Sequence, residues 1–229
     1  MQKLTLTIIA FVFAFAVQAQ KKETRQVGEF DYVSFGISGD LIITQGNSNS
    51  LVLIGDADDL EKIETYVSGG KLKIRRENNN SWFGDNLDDV TVKVTLKNFT
   101  GASVSGSGKI TNSNNLDGRN VSLSVSGSGK MDLYVECEDI ETHISGSGRI
   151  TLEGKASTND LHISGSGGIN ASEFTTNRLE AHISGSGSAK VKVKDEIDAH
   201  ISGSGSIRYI GDPSKIREKV SGSGSVRSM

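Results

Sequence analysis

Residues 140–150 read Ile140-Glu141-Thr142-His143-Ile144-Ser145-Gly146-Ser147-Gly148-Arg149-Ile150, and this pattern recurs to the end of the chain. The tetrapeptide Ser-Gly-Ser-Gly begins at Ser105, Ser126, Ser145, Ser164, Ser184, Ser202 and Ser221, at intervals of 21, 19, 19, 20, 18 and 19 residues. Its first glycines are Gly106, Gly127, Gly146, Gly165, Gly185, Gly203 and Gly222. An aliphatic residue precedes every copy: Val104, Val125, Ile144, Ile163, Ile183, Ile201 and Val220. Five positions after each first serine stands Ile110, Met131, Ile150, Ile169, Ala189, Ile207 or Val226. A period near twenty residues marks a solenoid whose turns stack on one another. A flexible Gly/Ser linker has no reason to keep apolar residues at fixed offsets on both sides of each copy.

The flanking segments say which solenoid. Leu179-Glu180-Ala181-His182-Ile183 and Met131-Asp132-Leu133-Tyr134-Val135 alternate with period two, as strands with one buried face do. Helical repeats usually need a longer unit. A lone strand cannot bury its face, but stacking about 4.8 Å above an equivalent strand buries it and pairs its backbone. The fold class is therefore all-β: a parallel β-helix with two or three strands per turn, right-handed by the crossover rule. The Ser-Gly-Ser-Gly segments are read as its structural corners, where close backbones and positive φ call for glycine. They are not phosphate loops, since neither Lys-Ser nor Lys-Thr follows and no strand-to-helix switch is visible.

Residues 20–100 read as earlier, less regular turns of the same domain, and 101–229 as the regular part. Ile37-Ser38-Gly39-Asp40-Leu41 and Val67-Ser68-Gly69-Gly70-Lys71 look like degenerate corners. Asp58-Asp59-Leu60-Glu61-Lys62-Ile63 suits one or two helical turns. Asn78 to Asp89 reads as a polar loop carrying Trp82 and Phe83, which can stack on sugar rings, anchor in a partner's pocket or cover the solenoid's end. The final turn has no capping helix, so end-to-end stacking on another chain is one expectation for it and fraying the other.

Composition narrows the function. The chain has 229 residues, 28 acidic and 25 basic, a net charge of −3, which leaves no basic surplus for nucleic acid. It has 27 glycines without a three-residue period, one proline and one cysteine. Collagen, a disulfide framework and a multi-thiolate metal site are excluded. Residues 1–19 read as a secretion signal: Lys3, an apolar run from Leu4 to Val17, and Val17-Gln18-Ala19 before cleavage after Ala19. That run is shorter than the roughly 20 apolar residues a span needs, and no later segment is apolar enough to cross a bilayer. Export to the periplasm, cell surface or medium is expected, with no transmembrane segment in the mature chain.

At this point the chain resembles a known family. The signal, Phe30-Asp31-Tyr32-Val33-Ser34-Phe35, Gly39-Asp40-Leu41-Ile42-Ile43-Thr44-Gln45-Gly46, the repeated corner and Gly168-Ile169-Asn170 are similar to the GIN-domain family of auto-transporter adhesin heads (DUF2807). The resemblance covers residues 28–229. It implies a right-handed parallel β-helix, an adhesion role toward a glycan or protein partner, and no catalytic residues or cofactors. A true autotransporter also needs a C-terminal membrane barrel, for which no region is expected here.

All four histidines, His143, His162, His182 and His200, stand two places before a corner, and Glu141, Asp160, Glu180 and Asp198 stand two places before them. Alternation puts both columns on the outer face, with imidazoles stacking at about 4.8 Å beside carboxylates roughly 7 Å along each strand. The plain reading is a solvated ladder repeated by duplication. The chemical reading is a weak site for zinc, copper or nickel, or a face whose adhesion changes as imidazoles charge near about pH 6.5. A carbohydrate-active lyase or hydrolase is the alternative function, but it needs paired acids in a cleft, and these acids form a column. A Ser-His-Asp triad would have to repeat four times. The nine-residue calcium repeat is missing, and ice binding does not suit charged columns. Cys137 has no activating neighbour and is expected within a strand.

Overall fold

The computed structural model describes residues 20–77, 87 and 89–229. The signal segment and the loop bearing Trp82 and Phe83 lie outside the described residues. The described chain is a β-solenoid of about seven turns with a spacing near 19 residues.

The first strands are β1 (Lys21–Arg25), β2 (Tyr32–Gly36), β3 (Asp40–Gln45) and β4 (Ser50–Gly55). A short helix α1 (Ala57–Glu61) follows, then β5 (Ile63–Ser68), β6 (Lys71–Arg76) and β7 (Thr91–Leu96). These do not stack in chain order. The β2–β3 rung lies between β6–β7 on one side and the next rung, β8 (Gly101–Gly106) with β9 (Lys109–Asn112), on the other. All four of those pairings are parallel, whereas β4 and β5 run antiparallel to β7 and β6, and β1 antiparallel to β4. The irregularity of residues 20–100 takes a definite form: the chain lays down an inner rung first, doubles back to cover its open side, and then crosses over. Arg25 fastens this end, donating to the Leu60 carbonyl at 2.8 Å and the Ile63 carbonyl at 2.5 Å, where the carbonyls at the end of α1 run out of internal donors.

Of the two degenerate corners, one is real. Gly39 receives the Lys109 amide at 3.0 Å, while the neighbouring Asp40 amide donates to the Val90 carbonyl at 2.9 Å, which joins three rungs at a corner. Ser68-Gly69-Gly70-Lys71 is instead a two-residue hairpin turn between antiparallel β5 and β6. Both glycines have positive φ, 60° and 75°, as a primed turn demands.

From residue 101 the stack is regular. After β8 and β9 come β10 (Leu116–Asp117), β11 (Asn120–Gly127), β12 (Lys130–Glu136) and β13 (Asp139–Gly146). Three long bent strands follow, β14 (Arg149–Gly165), β15 (Gly168–Gly185) and β16 (Ser188–Gly203), each making nearly a whole turn. The end is formed by β17 (Ser206–Ile210), β18 (Lys215–Gly222) and β19 (Ser225–Ser228). Every pairing in this part is parallel. Inward columns such as Ile144, Ile163, Ile183 and Ile201 fill the interior and are buried. The repeat positions Ile216 and Val220 of β18 are exposed by 41% and 38%, because no turn lies over them.

The corners continue the ladder through their backbone. The Ser147 amide donates to the Gly127 carbonyl at 2.9 Å, and the Arg149 amide to Gly129 at 3.0 Å. Gly146 has φ 112°, and a Cβ there would lie 2.7 Å from the Gly127 carbonyl oxygen. Gly148 answers another demand, since a Cβ on it would collide with the Val125 side chain of the turn below. Cys137 is not a strand residue: it sits in the bend between β12 and β13, where Gly118 and Arg119 have already turned the preceding rung. Burial pushes its thiol up to about 12, with the Asp139 charge adding to the effect.

Candidate functional site

The parallel register between turns converts sequence period into spatial columns. His143 pairs with His162, His162 with His182, and His182 with His200. Their rings stack with centroids 4.7, 5.1 and 4.9 Å apart and planes within 7°, 12° and 5° of parallel. Beside them, Glu141, Asp160, Glu180 and Asp198 form the acid column in the same register. On the other side the corner serines Ser126, Ser145, Ser164, Ser184, Ser202 and Ser221 make a third column. The imidazoles and serines line an open groove of about 480 Å³ that runs along the solenoid.

The carboxylates do not stay a strand-step away from the rings. Side chains two apart on one strand face lean together, so His143 Nε2 is hydrogen-bonded to Glu141 Oε1 at 2.7 Å. His200 Nε2 lies 3.2 Å from Asp198 Oδ1. His162 Nε2 lies 2.9 Å from Asp160 Oδ1 but off the direction a hydrogen bond requires, so that oxygen has a close imidazole nitrogen without a directed hydrogen bond. His182 differs again: its Nδ1 is buried and makes no hydrogen bond. Two groups bring ligand atoms within 4.8 Å of one another, Glu141 with His143 and His162, and Asp160 with His162 and His182.

The columns change character at their ends. Toward the N-terminus the histidine column continues as Ser124 and Ser103. There half-buried Tyr32 has its phenol pushed above the ordinary range by burial, opposed by a hydrogen bond with Ser103 and reinforced by the Glu141 charge. Toward the C-terminus the two columns become Lys219 and Arg217. Arg217 donates to Asp198 Oδ2 at 2.9 Å and to Glu196 Oε1 at 2.7 Å. That hydrogen bond from Arg217, more than the proximity of His200, holds the Asp198 carboxyl below its usual range. The Lys215 ammonium does the same for Glu196. Lys219 and Arg217 stand two and four places before Ser221, so the repeat numbering points to them; the change of residue type conceals them. Trp82 and Phe83 lie outside the described residues, and the groove is built without reference to them.

Comparison with known proteins gives a consistent picture of the fold. Residues 29–213 match the family model described as "Putative auto-transporter adhesin, head GIN domain" (DUF2807). The crystal structure of a "putative adhesin" from Bacteroides fragilis is 26% identical with a TM-score of 0.87, covering 93% of this chain and 98% of that one. A "putative adhesin" from Parabacteroides merdae is 22% identical with a TM-score of 0.74, covering 92% and 96% of the two chains. A "putative lipid binding protein" from Parabacteroides distasonis is 23% identical with a TM-score of 0.73, covering 92% and 97%. These last two share the fold. A comparison with curated proteins gave no match.

Proposed function

From its membership of the GIN-domain adhesin-head family, to which this chain belongs, we propose that it is an exported, non-catalytic adhesin whose ligand lies along the histidine–serine groove. One observation carries the reading: the same imidazole and hydroxyl recur on four successive rungs, so the groove offers one recognition unit repeated along an axis. A repeated row of donors, acceptors and flat ring edges suits a polymer that itself repeats hydroxyl groups, namely a glycan chain. Each rung adds a weak contact, and contacts held on one rigid rod gain through effective concentration. The acids stand in a single column on one face, which supports binding over hydrolysis, since glycosidic chemistry needs two carboxyls on opposite sides of a bond. Among the described residues no helix is long and apolar enough to cross a membrane. The exposed Ile216 and Val220 of the last turn support end-to-end association as a further part of the proposal.

The test is binding of the purified chain from residue 20 onward to an array of glycans and matrix proteins. Wild type is set against His162→Ala with His182→Ala, and against Trp82→Ala with Phe83→Ala. Glycan binding that falls with the histidine pair and survives loss of the aromatic pair supports the groove. Binding confined to matrix proteins, or lost only with the aromatic pair, refutes it.

A further inference from the structure

Buried polar atoms without partners are rare in folded proteins, because each costs about 1–3 kcal/mol. Among the described residues they are not scattered. Asn159 Nδ2 and Oδ1, His182 Nδ1, and Asp160 Oδ1, which has His162 Nε2 at 2.9 Å but no directed hydrogen bond, occupy two adjacent rungs at the middle of the ladder. Two of these atoms belong to residues that, with His162, bring ligand nitrogens and a carboxylate oxygen within 4.8 Å of one another.

We propose that Asp160, His162 and His182 form a binding site for one divalent transition ion of the zinc, copper or nickel class. Two imidazoles and a carboxylate are the donor set such ions take. Ligand atoms about 2.0–2.1 Å from one ion lie within about 4 Å of each other, so small rotations of half-exposed rings close the set.

The rest of the ladder explains why the middle is chosen. Glu141 is engaged by His143 in a 2.7 Å hydrogen bond. Asp198 is engaged by Arg217 at 2.9 Å, and the histidine column then ends at Lys219, so cations already occupy the C-terminal end. His162 also belongs to the Glu141–His143 group, so filling the central site removes the shared ring from the other. The ladder therefore takes a single ion there, not one per histidine. The ion is titrated on the protein alone, so the site stands or falls independently of the groove's polymeric ligand.

The experiment is calorimetric titration of the chain from residue 20 onward with zinc, alongside the visible spectrum on cobalt addition, which reports coordination geometry. One ion per chain is expected, with a tetrahedral cobalt spectrum. Asp160→Asn and His182→Gln, which keep side-chain shape, should weaken zinc by at least the ~10–100-fold that even outer-shell partners are worth. His162→Ala should abolish both signals, while His143→Ala and His200→Ala should stay within about threefold of wild type. Circular dichroism confirms folding; if His162→Ala does not fold, the two shape-keeping variants decide the question in its place. The proposal is overturned by the absence of zinc heat. It is equally overturned if Asp160→Asn and His182→Gln bind as wild type, or if His200→Ala is as damaging as His182→Gln.

Discussion

Replacing Gly146 by alanine probes the solenoid's central assumption, that successive backbones meet at the corner too closely for any side chain. Two costs combine. Gly146 has φ 112°, a region L-residues enter only under strain, costing about 1–3 kcal/mol. The new Cβ would also lie 2.7 Å from the Gly127 carbonyl oxygen. That oxygen cannot retreat freely, because it accepts the Ser147 amide at 2.9 Å, and overpacking of this kind costs about 1–3 kcal/mol. The expected loss is thus about 2–6 kcal/mol, a large share of a typical domain's stability. Gly106 separates the two contributions: its φ is 98° but nothing lies within 4 Å of its Cβ position, so only the torsional part, about 1–3 kcal/mol, applies. Gly28 has neither burden and should change by less than about 0.5 kcal/mol. Guanidinium unfolding followed by circular dichroism, compared at constant m-value, ranks the three. If Gly146→Ala costs no more than Gly106→Ala, the close approach of neighbouring corners does not limit the stack and the reasoning fails.

Other consequences are measured more simply. Asn159 occupies a column position held by Ile140 and Leu179 in the adjacent turns, yet neither of its side-chain polar atoms is bonded. Asn159→Leu should therefore raise stability by about 1–3 kcal/mol, and a loss would show that the amide has a hydrogen-bond partner in solution. Cys137, with its thiol pushed to about 12 from 9.0, should hold about a thousandfold less thiolate at neutral pH than an unperturbed thiol. Iodoacetamide labelling at the rate of a free thiol would contradict this. Glu23, Glu136 and Glu196 are held below 4.5 and Asp198 below 3.8 by Arg25, Lys155, Lys215 and Arg217 respectively. The unfolded chain then takes up protons first, so the stability these groups give is complete above about pH 4.5 and drains away as pH falls through their lowered folded-state values. A guanidinium midpoint unchanged from about pH 5 to about pH 3 would refute that sign.

Much of the regular part is legible because translation along an axis is the simplest relation a sequence can encode. Counting from each corner places His143 over His162 and Ile144 over Ile163, and the register agrees residue for residue. The N-terminal part resists the same counting. Nothing local in Ser50–Gly55 says that it will run antiparallel to a strand some forty residues later, since both directions bury the same alternate residues. The Gly69-Gly70 pair does carry a usable local signal: two glycines between alternating segments indicate a hairpin more directly than a solenoid corner. Cys137 follows an alternating run, but the bend that ends the run is set by tertiary contacts with Arg119 and Lys155. As for the groove, spacing alone reveals the histidine and acid columns, whereas the missing partners of Asp160 and His182 depend on side-chain angles that no periodicity reports.

The differences between rungs therefore carry more information than their likeness. Pure duplication would give four equivalent His–acid pairs, each as well satisfied as the next. Instead the contacts grade along the axis, from a directed hydrogen bond at His143 to a guanidinium-capped acid beside His200. Between them, one rung holds both an unbonded core asparagine and an unbonded carboxylate oxygen, next to an unbonded imidazole nitrogen. A buried column position such as Asn159 is easily filled by an aliphatic residue, as the adjacent turns do. Local rules broken together at one place, and kept on either side of it, are where folded proteins carry function. Among the described residues, the middle of this ladder is the place where stability has been given up, and it is also where two imidazoles and a carboxylate converge.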